Sequence, residues 1–284
     1  LDTSELRKRG GGLFGSNPLT GSIGVVTLNL PRLAYLAIDE ADYCKRLLEL
    51  ADLAFQSLEL KRKVIEHETN RGMYPFSARW LNGIKAREGT YWANHFSTIG
   101  LVGMEEACLN LFGQSGSLVT EKGQRFAMDT LALLRDRIAS YQQNTGHFYN
   151  LEATPAEGPS YRLAKRDRQQ FPGIITAGTN VPYYTNSTQL PVGYTDDLFE
   201  TLDLQDDLQC QYTGGTVLHL YLGERIEDIQ VAKKLLRTIF NRYSLPYVSL
   251  TPTFSTCEDH GYIVGEVPLC PTCNKPTEIW TRVV

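Results

Sequence analysis

An α/β protein with parallel strands is the fold class this sequence predicts. Short β-prone runs alternate with longer stretches of helical period, and no internal repeat, acidic tail or low-complexity linker breaks that alternation. The 284 residues, 42% hydrophobic and 21% charged, can bury one sizeable core or two modest ones.

Taken in order, residues 5–21 are rich in glycine and read as an irregular loop feeding a strand. Residues 23–30, Ile-Gly-Val-Val-Thr-Leu-Asn-Leu, form a nearly continuous β-branched run, as in a parallel strand buried on both faces. Pro31 then opens one long helix with Leu36, Tyr43, Leu47, Ala51, Ala54, Leu58 and Ile65 on its apolar face, stopped at Asn70 and Gly72. Residues 94–100 lead into a short helix from Met104 to Phe112, ended by Gly113. Thr120 caps the next helix, whose Ala127, Leu131, Leu134, Ile138 and Tyr141 share a face until Gly146. A strand over residues 147–153 follows. Residues 155–207 hold too many Pro, Gly, Thr and Asn for long regular elements. A strand at 216–222, a helix at 226–243 and a strand at 247–250 complete the alternation, and the character of the chain changes after Pro252.

Composition narrows the function classes. A net charge of −4 gives no reason to expect a nucleic-acid or phospholipid surface. No apolar run approaches the roughly 20 residues a membrane span needs, and Leu1-Asp2-Thr3-Ser4 does not open a signal peptide, so a cytoplasmic protein is expected. Six cysteines are too few for a disulfide scaffold. Cys44 and Cys108 sit among apolar neighbours in helical patterns, as buried structural thiols do.

Cys210 also stands apart, and the other three cysteines cluster. Cys257-x-x-His260 and Cys270-x-x-Cys273 are two ligand pairs separated by nine residues. Zinc takes four soft or borderline donors at tetrahedral corners, and each such pair lets one tight turn present two of them. Cys257, His260, Cys270 and Cys273 would fill the coordination sphere, leaving no open position, so the site is expected to be structural. A redox dithiol of Cys270 and Cys273 is the alternative.

Several segments then point to one family. Residues 10–22, Gly-Gly-Gly-Leu-Phe-Gly-Ser-Asn-Pro-Leu-Thr-Gly-Ser, lead to Gly-Val-Val-Thr-Leu-Asn-Leu-Pro-Arg at 24–32. To these are added His-Phe-Ser-Thr-Ile-Gly-Leu-Val-Gly at 95–103, Tyr-Tyr-Thr-Asn-Ser at 183–187, Tyr-Thr-Gly-Gly-Thr-Val at 212–217 and Thr-Pro-Thr-Phe-Ser-Thr-Cys at 251–257. With the ligand pairs and the closing Arg282-Val283-Val284, the chain resembles the catalytic subunit of anaerobic, class III, glycyl-radical ribonucleoside-triphosphate reductases along its whole length.

That resemblance implies the C-terminal half of a ten-stranded α/β barrel at residues 1–252, with residues 253–284 a zinc knuckle leading to the glycyl-radical loop. The radical cysteine is expected just before Leu1 and the radical glycine just after Val284, so that an isolated fragment would be inactive. The family's reaction exchanges the ribose 2′-hydroxyl for hydrogen. Its radical is made by a separate S-adenosylmethionine-dependent iron–sulfur activase, formate is the usual reductant in one branch, and the intact enzyme is a homodimer. Thr185, Asn186, Ser187 and Thr188 become a substrate-phosphate cradle, although by composition alone they read as an ordinary turn. Ser22 falls where some relatives carry a polar active-site residue; a cap or turn role suits it equally. His95 and His219 stand as weaker candidates beside a plain hydrogen-bonded core role, His219 gaining interest from Gly214-Gly215 before it. The competing functions are another glycyl-radical lyase or acyltransferase, and a non-catalytic zinc-stabilised nucleotide-binding module.

Overall fold

The computed structural model describes residues 19–222 and 226–280. The chain folds into two compact units, Leu1–Tyr194 with Gln211–Thr216, and Thr195–Cys210 with Val217–Val284.

The first unit is a parallel three-stranded sheet in the order β1 (Ser22–Asn29), β2 (Phe96–Val102), β3 (Phe148–Glu152). Register runs straight across it, Val25 opposite Thr98 and Thr98 opposite Asn150. Helices α1 (Leu30–Leu36), α2 (Glu40–Asn70) and α3 (Pro75–Glu88) join β1 to β2. Helices α4 (Met104–Phe112) and α5 (Glu121–Thr145) join β2 to β3, and α6 (Glu157–Gln170) follows. Helix α2 packs on β1 and β2 and α5 on β3, so Leu28, Ile99, Leu101, Tyr149 and Leu151 form a dry layer between sheet and helices.

The doubly buried strand is β2 rather than β1. All seven residues of β2 are buried, whereas β1 shows Ser22 and Val25 to solvent. A strand needs a neighbour on each side to be enclosed, and β1 lies at the edge of the described sheet.

The single helix expected after Pro31 is two. The chain turns extended at Ala37 (φ −79°, ψ 142°), and the Asp39 carboxylate accepts the Asp42 N–H at 2.8 Å to start α2. Tyr43, Leu47, Ala51, Ala54 and Leu58 are buried on α2 as expected, while Leu36 is exposed on α1. Cys108 is buried, but Cys44 only half so.

Two helices lie in residues 155–207, against expectation. Helix α6 buries only Ser160, Ala164 and Asp167, so its inward stripe has helical spacing and almost no apolar character. Helix α7 (Leu198–Gln209) belongs to the second unit, and Asp197 caps it by accepting the Phe199 and Glu200 N–H groups.

In that unit, β4 (Leu218–Leu222), α8 (Ile229–Arg242) and β5 (Val248–Pro252) make a parallel βαβ motif. Leu202, Leu218, Leu220, Ile239, Tyr243 and Leu245 form its core. Strands β6 (Phe254–Cys257), β7 (Gly261–Val264) and β8 (Glu278–Trp280) then form an antiparallel sheet in the order β7-β6-β8. No helix among the described residues is long and apolar enough to cross a membrane.

Candidate functional site: a polar sheet face and a four-ligand knuckle

Residues paired across a parallel sheet share a face, and alternate residues change face. The face of the first unit turned away from α2 and α5 therefore carries Val25, Thr27 and Asn29 from β1, Thr98 and Gly100 from β2, and Asn150 and Glu152 from β3, and α6 covers its Asn29 end through Asp167. The candidate Ser22 joins this face: its exposed hydroxyl lies 3.1 Å from Thr98 Oγ1, and it also accepts the Gly24 N–H at 3.2 Å. At the same end Phe96 and Phe148 stack, with ring centroids 5.4 Å apart.

The candidate loop lies at the other end, beyond the C-terminus of β2, where ligands of parallel α/β sheets bind. Asn186 bridges Val102, Gly103 donates its N–H to Thr185 O at 2.8 Å, and Met104 donates to Ser187 O at 3.0 Å. Gly103 is left-handed (φ 79°) and lies flush against Pro31, leaving no room for a side chain.

The loop's hydroxyls face inward. Thr185 Oγ donates to Glu106 at 2.7 Å, Ser187 Oγ to Thr154 O at 3.1 Å, and Thr188 Oγ1 pairs with the Tyr212 hydroxyl at 2.9 Å. Thr185, Ser187 and Thr188 are buried, and Asn186, half-buried, is the loop's accessible side chain. A ligand at this loop would thus meet Asn186 and backbone N–H groups rather than a ring of hydroxyls. From Phe96, opposite Ser22, to Val102, opposite Asn186, the strand rises roughly 20 Å. Ser22 and the loop therefore share a face but not a pocket of phosphate size.

Two buried carboxylates anchor the loop, and neither stood out in the sequence. Glu106, 2% exposed, accepts both the N–H and the hydroxyl of Thr185. Burial pushes its carboxyl up to about 7. Asp167, wholly buried, accepts the Asn29 amide at 2.7 Å, the Tyr184 hydroxyl at 2.8 Å and the Arg32 guanidinium. The available signals were the acidic pair Glu105-Glu106 in an otherwise apolar helix and a lone Asp on the inward stripe of a polar one.

His95 is a packed side chain. Its ring lies edge-on to Trp92, Nδ1 is 3.1 Å from Asn94 Oδ1, and burial together with Arg62 pushes its pKa down to about 4, which leaves it neutral. In the second unit His219 is half-buried on β4, with Nδ1 2.5 Å from Ser249 Oγ on β5.

Also in the second unit, β6 ends on Cys257, the turn to β7 carries His260, and residues 270–273 form a second turn closed by the Asn274 N–H on Cys270 O at 2.8 Å. Asn274 is left-handed (φ 56°), and Lys275 pairs with Asp259 at 2.6 Å to join the two turns. The four candidate ligand atoms all lie within 4.8 Å of one another. Cys257 Sγ is 3.6 Å from both His260 Nδ1 and Cys273 Sγ, and Cys270 Sγ is 3.7 Å from His260 Nδ1. Zinc–sulfur arms of ~2.3 Å and zinc–nitrogen arms of ~2.0 Å span tetrahedral edges of about 3.5–3.8 Å. Donor set and spacing both fit a closed four-coordinate site. The N–H of Cys273, chief among several donors, pulls the Cys270 thiol down to about 6, toward the thiolate a metal needs.

Several known proteins are similar to this chain. Anaerobic ribonucleoside-triphosphate reductases of Haemophilus influenzae and Escherichia coli K12 are 25% and 26% identical to it, each over 89% of this chain and 37% of their own length. That of Enterobacteria phage T4 is 25% identical over 74% of this chain and 34% of its own. The crystal structure of the Thermotoga maritima anaerobic ribonucleotide reductase with MES in the active site superposes with a TM-score of 0.72 at 24% identity. It covers 93% of this chain and 42% of its own, a likeness that speaks for fold. The chain thus spans well under half the length of these relatives. The family model for anaerobic ribonucleoside-triphosphate reductases matches residues 1–284, and on that whole-length match the chain belongs to this family.

Proposed function

We propose that this chain is part of the catalytic subunit of an anaerobic ribonucleotide reductase, and that the polar face of its three-stranded sheet receives a ribonucleoside triphosphate. The whole-length family match carries the reading. The Thermotoga maritima enzyme has been crystallised in complex with dATP and CTP, which supports a nucleotide as the occupant here. The roughly 20 Å between Ser22 and Asn186 approaches the length of a whole extended nucleotide, with its base toward Ser22, its sugar farther along the face near Thr98 and Asn150, and its phosphates toward the loop at 185–188. In this reading Glu106 and Asp167 act as positioning residues for the loop.

The parallel strands would belong to a ten-stranded barrel, with residues 1–252 its share of the wall and residues 253–284 the knuckle. Cys257 Sγ, His260 Nδ1, Cys270 Sγ and Cys273 Sγ would hold zinc, which supplies a rigid cross-link between two turns and has no ligand position left for chemistry. The glycyl radical of this family supplies one-electron oxidising power, and water must be kept from it; the closely packed β2 serves that exclusion. A radical-generating iron–sulfur activase, formate as reductant, a homodimeric assembly and a cytoplasmic location complete the reading.

The protein that carries this chain, expressed at its full encoded length and activated without oxygen, is expected to convert CTP to dCTP with formate and to show a glycyl-radical signal by electron paramagnetic resonance. Neither product nor radical signal would end the proposal.

A further inference from the structure

Asn150 stands in the middle of β3 with its side chain fully buried, and among the described residues neither the nitrogen nor the oxygen of its carboxamide has a partner. Burying an amide unpaired is costly, and an apolar side chain would avoid the cost. Such a group needs an explanation, and a ligand that completes it is one.

Its surroundings say which ligand. Asn150 faces Thr98 in register, and Thr98 Oγ1 lies 3.1 Å from Ser22 Oγ. Further along the same face come Glu152 and then Thr154, whose buried hydroxyl is also unpaired and whose carbonyl accepts the Ser187 hydroxyl at 3.1 Å. A polar ledge therefore runs from the Ser22 end toward the loop at 185–188. It is built of amide, hydroxyl and carboxyl groups, and burial raises the pKa of Glu152. A carboxamide that donates and accepts at once matches the hydroxyls of a sugar; a carboxyl group beside it disfavours phosphate.

The cover over the ledge is thin. A Cβ on Gly214 would meet Asn150 Nδ2 at 2.9 Å, and one on Gly215 would come within 3.5 Å of the Glu152 carboxyl. Bare backbone lies on the ledge at both places. It is held to β3 by backbone bonds from Thr213 and Gly214 to Leu151 O, at 3.1 and 2.8 Å, and from Ala153 to Gly215 O at 2.9 Å.

We propose that the Asn150 carboxamide binds the ribose hydroxyls of the ribonucleotide once the Gly214–Gly215 segment shifts off it. This rests on the reading above that a ribonucleotide occupies this face.

The test uses the full-length, activated protein with CTP as substrate. Asn150→Val is expected to keep or raise the melting temperature while the KM for CTP rises about tenfold, the order of one lost neutral hydrogen bond. A merely unpaired structural amide would give the same thermal result with KM and kcat unchanged, and that outcome overturns the proposal. A lower melting temperature with KM unchanged overturns it as well, since the amide would then be bonded within the fold. Asn150→Ala guards against misfolding of the valine variant: wild-type KM in that protein is fatal to the idea, and a similar tenfold rise supports it. Wild-type protein that reduces no CTP would instead sink the underlying functional reading, and this is seen before any variant is made.

Discussion

Glu106 shows what one residue can carry. Among the described residues, Glu105, Cys108, Tyr183 and Tyr184 are titratable groups around it, and its partners are the N–H and hydroxyl of Thr185. With the folded pKa near 7 and an ordinary carboxyl value of 4.5, the native state holds this proton more tightly than the unfolded chain does. Its contribution is therefore fully present below about pH 4.5 and is lost as pH rises toward 7. Glu106→Gln keeps an acceptor for Thr185 and removes the titration. Urea denaturation across pH 4.5–7.5 should show a smaller loss of stability with rising pH in the variant, the difference reaching up to about 3 kcal/mol; parallel curves for the two proteins would contradict this account. Asp167 is partnered differently: the Arg32 guanidinium and two neutral donors, the Asn29 amide and the Tyr184 hydroxyl, compensate its burial.

Among the elements, the clearest local signals were caps and stops. Thr120 before α5, Gly146 after it and Gly72 after α2 lie where the sequence places them, because a helix end needs a side-chain acceptor or a left-handed residue at a defined offset. The break between α1 and α2 was also written locally, in Asp39 followed by Glu40 and Asp42, but the apolar stripe running past it hid the signal. Asp39→Ala should lower stability by about 1 kcal/mol without altering the register of β1 and β2. Unchanged denaturation midpoints would show that packing alone starts α2. Helix α6 escaped for a different reason: its inward residues Ser160 and Asp167 are polar and are stabilised by Tyr184, a partner distant in sequence. Periodicity of hydrophobic residues cannot register a helix whose buried stripe is hydrogen-bonded.

At the scale of the molecule, two compact units draw on different stabilising terms. The first rests on a dry layer between sheet and helices, and the end of the second on a small antiparallel sheet whose turns converge on four ligand atoms. If zinc ties those turns, a chelator should raise amide exchange in β6, β7 and β8 severalfold or more while β1, β2 and β3 keep their protection, and metal analysis should give one zinc per chain before treatment. Full protection of β6 in metal-free protein would refute the structural role. The convergence of Cys257, His260, Cys270 and Cys273 was legible in sequence because two short-spaced pairs are a local pattern. The class of fold was legible because strand and helix periods are local as well. What the tertiary structure alone decided is which strand lies at the centre, that Ser22 and Asn186 sit at opposite ends of one face, and that Glu106 and Asp167 are buried with partners while, among the described residues, the Asn150 amide is buried without one. These depend on which groups meet across scores of residues, and a buried polar side chain takes its energy from such partners or from their absence.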